Sequence, residues 1–124
     1  MATFAPTVPR LDGNVFLIMA MDAAGSASLR DQNLEGHLAH IEKHCDDYLV
    51  CGPLREPDGT ELIGSFFVVV ADDEAGARQL LEGDPYFSSG MYADIRVVAA
   101  VPAAGRFQGG VIWESAEALR AATA

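Results

Sequence analysis

The stretch Leu62–Ala71, LIGSFFVVVA, places Phe66, Phe67, Val68, Val69 and Val70 in one uninterrupted apolar run. β-Branched and aromatic residues favour a pleated strand, and the run is too short for a buried helix. Successive strand side chains point to opposite faces, so this strand is apolar on both. It therefore reads as a central strand with something packed on each side.

The flanking sequence supplies neighbouring strands and helices for one face. Upstream, Asn14–Met21 (NVFLIMAM) is a second apolar strand, followed by a small-residue loop over Asp22–Ala27 containing Gly25. A helix is expected from Ser28, as N-cap with Asp31 three residues on, to about Asp46. Leu34, Leu38 and Ile41 fall at helical spacing and give it one apolar face. Tyr48–Cys51 reads as a strand stopped by Gly52-Pro53, and Asp58-Gly59 as a hairpin turn into the central strand. Downstream, Asp72 or Asp73 caps a helix that turns Ala77, Leu80 and Leu81 inward and ends at Gly83. Asp84-Pro85-Tyr86 opens a short helix, with Asp84 as N-cap and Pro85 at the first position, and Gly90 stops it. Ala93–Val101 is a further strand in which Ile95, Val97 and Ala99 alternate with Asp94, Arg96 and Val98.

The order is β-α-β-β-α-β, the ferredoxin-like arrangement: an antiparallel sheet with both helices on one face. The other face needs cover, and the simplest cover is a second copy of the chain, giving a dimeric α+β barrel; the tail from Arg106 to Trp113 could instead cap that face within one chain. Residues 1–13, with Pro6, Pro9 and Gly13, read as a flexible arm. Residues 14–101 form the α+β domain. Residues 102–124 form an extension with a linker at Pro102–Gly105, a short strand at Gly109–Trp113 and a helix capped by Ser115.

Composition narrows the function classes. The chain has 124 residues, half of them hydrophobic, enough for one core without a metal or disulfide staple. Eight Lys plus Arg oppose eighteen Asp plus Glu, and a net charge of −10 repels phosphate backbones and anionic membranes. No apolar run approaches the ~20 residues of a membrane span, and residues 1–12 do not have the pattern of a signal peptide. Cys45 and Cys51 form no CxxC motif and read as reduced thiols of a cytoplasmic protein. Nucleotide-binding glycine loops, a GxSxG elbow and EF-hand spacing are absent from the sequence.

His37, His40 and His44 share one predicted helix at i, i+3 and i, i+4 spacings, and so could share a face. A zinc site needs three or four ligands, and the sequence offers no second Cys/His cluster to complete one, so no metal is expected. His37 stands at the edge of the apolar face, where a half-buried imidazole near a carboxylate could act as a general acid or base or could simply be structural. Asp84, beside the aromatic-rich group Tyr86, Phe87, Met91 and Tyr92, could be a cap alone or the polar floor of a small pocket.

Four pieces of the sequence taken in order resemble the YciI-like (YCII-related) family of small cytosolic dimers with the dimeric α+β barrel fold. They are NVFLIMAMD at 14–22, Arg30 followed seven residues later by His37-Leu38, Cys51-Gly52-Pro53-Leu54, and GDPYFSSGMYADIRV at 83–97. The resemblance spans about residues 14–101. It implies an active site built from His37 and Asp84, with Tyr86, Gly90 and Tyr92 lining the same cleft and Arg30 nearby. Many members carry a second arginine where this chain has Leu34, which implies a less anionic ligand here. Members with assigned activity resemble lyases acting on ring compounds, such as dehydrochlorination of a chlorinated hydroxyhydroquinone. The wider fold group includes lactone isomerases and cofactor-free monooxygenases. The expectation is a homodimer acting without a cofactor as a lyase or isomerase on a small cyclic or aromatic-derived metabolite. The alternative is a non-catalytic dimeric module that binds a small ligand or serves a structural role.

Overall fold

The structure is a computed structural model and describes residues 14–123. The expected arm at 1–13 lies outside the described residues. These fall into two compact units, 14–100 and 101–123.

The first unit holds strand β1 (Asn14–Asp22), helices α1 (Ala27–Gln32) and α2 (Leu34–Lys43), and a 3-10 turn at Cys45–Asp47. Strands β2 (Tyr48–Arg55) and β3 (Leu62–Ala71), helices α3 (Glu74–Glu82) and α4 (Pro85–Ser88), and strand β4 (Tyr92–Ala100) complete it. The strands form one sheet in the order β2-β3-β1-β4, antiparallel at every pairing. This is the ferredoxin-like α+β fold expected from the sequence, and LIGSFFVVVA is an interior strand of it.

Register assigns the two faces. Phe16 pairs with Val69, Ile18 with Phe67 and Ala20 with Ser65, and these residues are all buried. Phe16, Ile18, Phe67 and Val69 join Ala77 and Leu81 of α3 in the core between helices and sheet, with Ile41 of α2 and Phe87 of α4 packed against it, and Ala20 clusters with Tyr86, Met91 and Tyr92. Full burial of a side chain such as Phe67 or Ile18 stabilises the fold by about 1.5–3 kcal/mol. The opposite face carries Leu17, Met19, Val50, Phe66, Val68 and Val98, of which Met19, Val50 and Val98 are exposed.

Several local expectations need correction. The single helix from Ser28 to Asp46 is two helices and a 3-10 turn. The break falls at Asn33, whose side-chain amide and backbone N–H both donate to the Leu29 carbonyl, at 2.8 and 3.0 Å. Asparagine competes in this way for backbone groups that a continuous helix would use. The first N-cap position belongs to Ser26 rather than Ser28. Leu34 and Leu38 do not enter the core; they are 41% and 48% exposed, and only Ile41 of the expected triplet packs against it. Strand β2 does not stop at Gly52-Pro53 but runs to Arg55. Proline is tolerated there because β2 is an edge strand, where one side of the backbone needs no ladder partner. The Asp58-Gly59 pair lies in a longer connection, with Gly59 N–H bonded to the Glu56 carbonyl at 3.1 Å, in place of a two-residue hairpin.

The later capping expectations hold. The Asp73 carboxylate accepts from Gly76 N–H at 2.7 Å, and the Asp84 carboxylate accepts from Tyr86 N–H at 2.9 Å with Pro85 at the first helical position. Gly90 follows α4 with φ +80, a left-handed conformation that favours glycine.

In the second unit, β5 (Ala104–Gly105) pairs with β6 (Gly110–Val111). Helix α5 (Ala116–Thr123) is capped by Ser115 Oγ, which accepts from Ala118 N–H at 3.0 Å. No helix among the described residues is long and apolar enough to cross a membrane.

Candidate active site

The close approach of α2 to α4 creates the site. A Cβ built at Gly36 would lie 2.8 Å from Pro85 Cγ, well inside ordinary carbon–carbon contact. Glycine at this position lets the two helices meet, and His37, just after Gly36, and Asp84, just before Pro85, complete the arrangement. His37 Nδ1 and the Asp84 carboxylate lie 2.7 Å apart although they are 47 residues apart in sequence. Asp84 is fully buried and divides its oxygens: Oδ1 accepts from Tyr86 N–H, and Oδ2 faces His37. An ionised Asp84 must accept, so the proton on neutral His37 sits on Nδ1 and Nε2 keeps its lone pair. The imidazole stacks on the Tyr86 ring with centroids 3.8 Å apart and meets Phe67 edge-on at 6.3 Å. These contacts fix its orientation.

Arg30 comes from α1. One of its terminal nitrogens donates to both oxygens of Asp22 at 2.8 and 3.0 Å and to the Gly64 carbonyl at 3.2 Å. Its guanidinium carbon lies 5.4 Å from the Tyr86 ring centroid, within cation–π range. Its Nε is buried and has no partner among the described residues. The sequence places Asp22 only at the start of a small-residue loop and gives it no role at the site. The signal that could have found it is its place at the exit of a buried strand, opposite the helix that carries Arg30.

A cavity of about 380 Å³ opens beside these groups. Arg30, His37, Ser65 and Tyr86 line it, together with Leu34, Leu38, Leu62, Pro53, Cys51 and Phe67. Tyr92 stands behind this wall, its hydroxyl donating to Ser65 Oγ at 2.7 Å. Gly90 closes the α4 turn and is not part of the lining. The structure thus brings His37, Asp84, Tyr86 and Arg30 into one neighbourhood, with Tyr92 one residue removed. Ser65 and Leu62 are wall residues that the sequence does not single out, while Leu34 and Leu38, expected to face the core, line the wall instead.

Burial raises the Tyr86 phenol above its ordinary value, opposed by Arg30 and reinforced by Asp84. Burial raises Tyr92 strongly, against the effect of the Ser65 hydrogen bond. The Cys51 thiol is raised by burial and by the nearby Asp84 charge. All three groups therefore keep their protons at neutral pH and present neutral surfaces to the cavity region.

The other two histidines are held elsewhere. His40 Nε2 lies 2.8 Å from the Leu80 carbonyl, and His44 Nδ1 is 4.0 Å from Asp47. Among the described residues, no group of three His, Cys, Asp or Glu side chains is disposed to hold a metal ion.

The fold and domain are shared with known proteins. The YCII-related domain matches residues 15–101. The solved 5-chloro-2-hydroxyhydroquinone dehydrochlorinase TftG from Burkholderia phenoliruptrix, in complex with 2,5-dihydroxybenzoquinone, is similar in structure. The two have a TM-score of 0.63 and 30% sequence identity over 74% of this chain and 96% of that one. A dimeric ferredoxin-like protein of unknown function from Thermobifida fusca aligns at 15% identity and a TM-score of 0.43, covering 80% of this chain and 100% of its own. No curated protein matches. With the domain matching most of its length, the chain belongs to the YCII-related family.

Proposed function

We propose that this protein is a cofactor-independent lyase or isomerase for a small cyclic, electron-rich metabolite, in which His37 moves the proton and Asp84 orients it. The observation that carries the reading is the 2.7 Å contact between His37 Nδ1 and a fully buried carboxylate at the wall of a cavity. With Nδ1–H donating to Asp84, Nε2 is the basic atom available to a ring hydroxyl or ring carbon. Asp84 stabilises the imidazolium that forms, and the proton is then delivered to another atom of the same ring. Where the ring carries a leaving group such as chloride, that group departs with its bonding pair from the carbon that has just been protonated, a second ring hydroxyl gives its proton to the regenerated neutral His37, and the sum is loss of HCl without oxidant or reductant. Tyr86 stacks on the base, while Tyr92 and Gly90 shape the surrounding turn and wall. Arg30, whose guanidinium lines the cavity, would donate to an enolate or phenolate oxygen.

The likeness to a dehydrochlorinase at 30% identity supports ring chemistry of this kind. The proposal includes a homodimer, supported by the exposed Met19, Val50 and Val98 on the sheet face away from the helices, and a cytoplasmic setting that keeps Cys45 and Cys51 reduced.

The test is chloride release from 5-chloro-2-hydroxyhydroquinone by wild type and His37→Ala, with folding checked by circular dichroism. Release by wild type and its loss in the variant are expected. Equal release by a folded variant would end the proposal. Binding of the ring with quantitative recovery of unchanged compound would favour the non-catalytic module, a reading suited to the Arg30 and Tyr92 polar groups already held by Asp22 and Ser65.

A further inference from the structure

The cavity is larger and more apolar than a single hydroxylated ring needs. A cavity of ~150 Å³ with an apolar lining suffices for benzene, whereas this one measures about 380 Å³. Three leucines stand on its wall beside His37. Leu34 and Leu38 stand one turn apart on α2, and Leu62 begins β3; all three line the cavity while remaining 41%, 48% and 41% exposed. One exposed leucine carries no information, but three from two elements on the wall of one cavity do. The charged groups on the same lining are Arg30, already paired with Asp22, and Asp31, an acid that disfavours anions.

Building on the ring-directed reading above, we propose that the substrate is a hydroxylated ring bearing a neutral apolar group, either an alkyl chain or a fused second ring. The polar ring lies against His37, and the apolar group lies against Leu34, Leu38 and Leu62. A charged substituent is selected against, because Asp31 repels an anion and the leucines offer no partner to any ion.

Three probes under argon test this: hydroquinone, 1,4-dihydroxynaphthalene and 2,5-dihydroxybenzoate. Binding is followed through the ring signals of His37 in 1H–13C spectra, in wild type and in a Leu34→Gln/Leu38→Gln variant whose exposed changes spare the core. Each buried carbon strengthens binding several-fold, so the naphthalene diol should bind at least about tenfold more tightly than hydroquinone. The carboxylate should bind more weakly than either, and the double variant should erase the naphthalene preference. Equal affinity of the two neutral rings, with His37 signals moving for both, would overturn the apolar-group assignment and leave the ring-directed function standing. Failure of all three probes to move His37 would overturn both. A double variant that keeps the naphthalene preference but changes sedimentation mass would assign the leucines to contact between copies, also against the proposal.

Discussion

Asp84→Asn separates orientation of the base from mere packing, because the structure dictates which way the amide must face. Asp84 Oδ1 accepts from Tyr86 N–H at 2.9 Å, and Oδ2 lies 2.7 Å from His37 Nδ1. An asparagine keeps the first bond only by placing its oxygen there. Its NH2 then points at His37 Nδ1, which must become an acceptor, and the imidazole proton moves to Nε2. The variant is nearly isosteric, retains the cap and removes a buried charge, so stability should change by only about 1 kcal/mol. The catalytic loss should be far larger, because the basic lone pair has left the cavity side. A general base contributes ~10²–10⁴-fold, so kcat should fall by that factor, equivalent to ~3–5 kcal/mol of transition-state energy. The assay pairs turnover on a chlorinated hydroxyhydroquinone with urea unfolding. Turnover within threefold of wild type in a stably folded Asp84→Asn protein would refute the orienting role of Asp84.

Other outcomes follow from the same geometry. Gly36→Ala sets a methyl 2.8 Å from Pro85 Cγ, so α2 must retreat by up to about 1 Å, and turnover should fall as much as ~100-fold while secondary structure survives; unchanged kcat would mean the helices give elsewhere. Arg30→Gln leaves the half-buried Asp22 carboxylate without its cation and should cost about 1–3 kcal/mol in urea unfolding, and adding Asp22→Asn should recover part of it. Tyr92, Tyr86 and Cys51 hold their protons more tightly folded than unfolded, so their stabilising contribution is complete below the ordinary values of 10.0 and 9.0. It is lost as pH rises through the raised folded values. Stability measured at pH 8 and above about pH 10 should therefore decline, less steeply in Tyr92→Phe, and a flat profile would contradict the burial of these groups.

The central strand, the antiparallel order and the Asp84 cap were legible because each rests on local chemistry: an apolar run with no polar interruption, or a carboxylate placed before proline. The pairing of His37 with Asp84 was reached through family resemblance, since nothing local joins two residues 47 apart. The Asn33 break was hidden because a helical pattern on both sides of it reads as continuous, and the competing bond to the Leu29 carbonyl exists only once α1 has formed. Leu34 and Leu38 misled for a related reason. Helical spacing shows that residues share a face, not whether that face meets the core or a cavity. The role of Asp22 depends on Arg30 reaching back from the following helix, a tertiary event with no sequence period.

The most direct test of the account is the tautomer of His37 in the wild-type protein. Long-range 1H–15N spectra at about pH 9, where an ordinary imidazole is neutral, report which ring nitrogen carries the proton. The account predicts protonated Nδ1 and a bare Nε2 for His37. A proton on Nε2 would contradict it, because the cavity would then face a donor in place of a base.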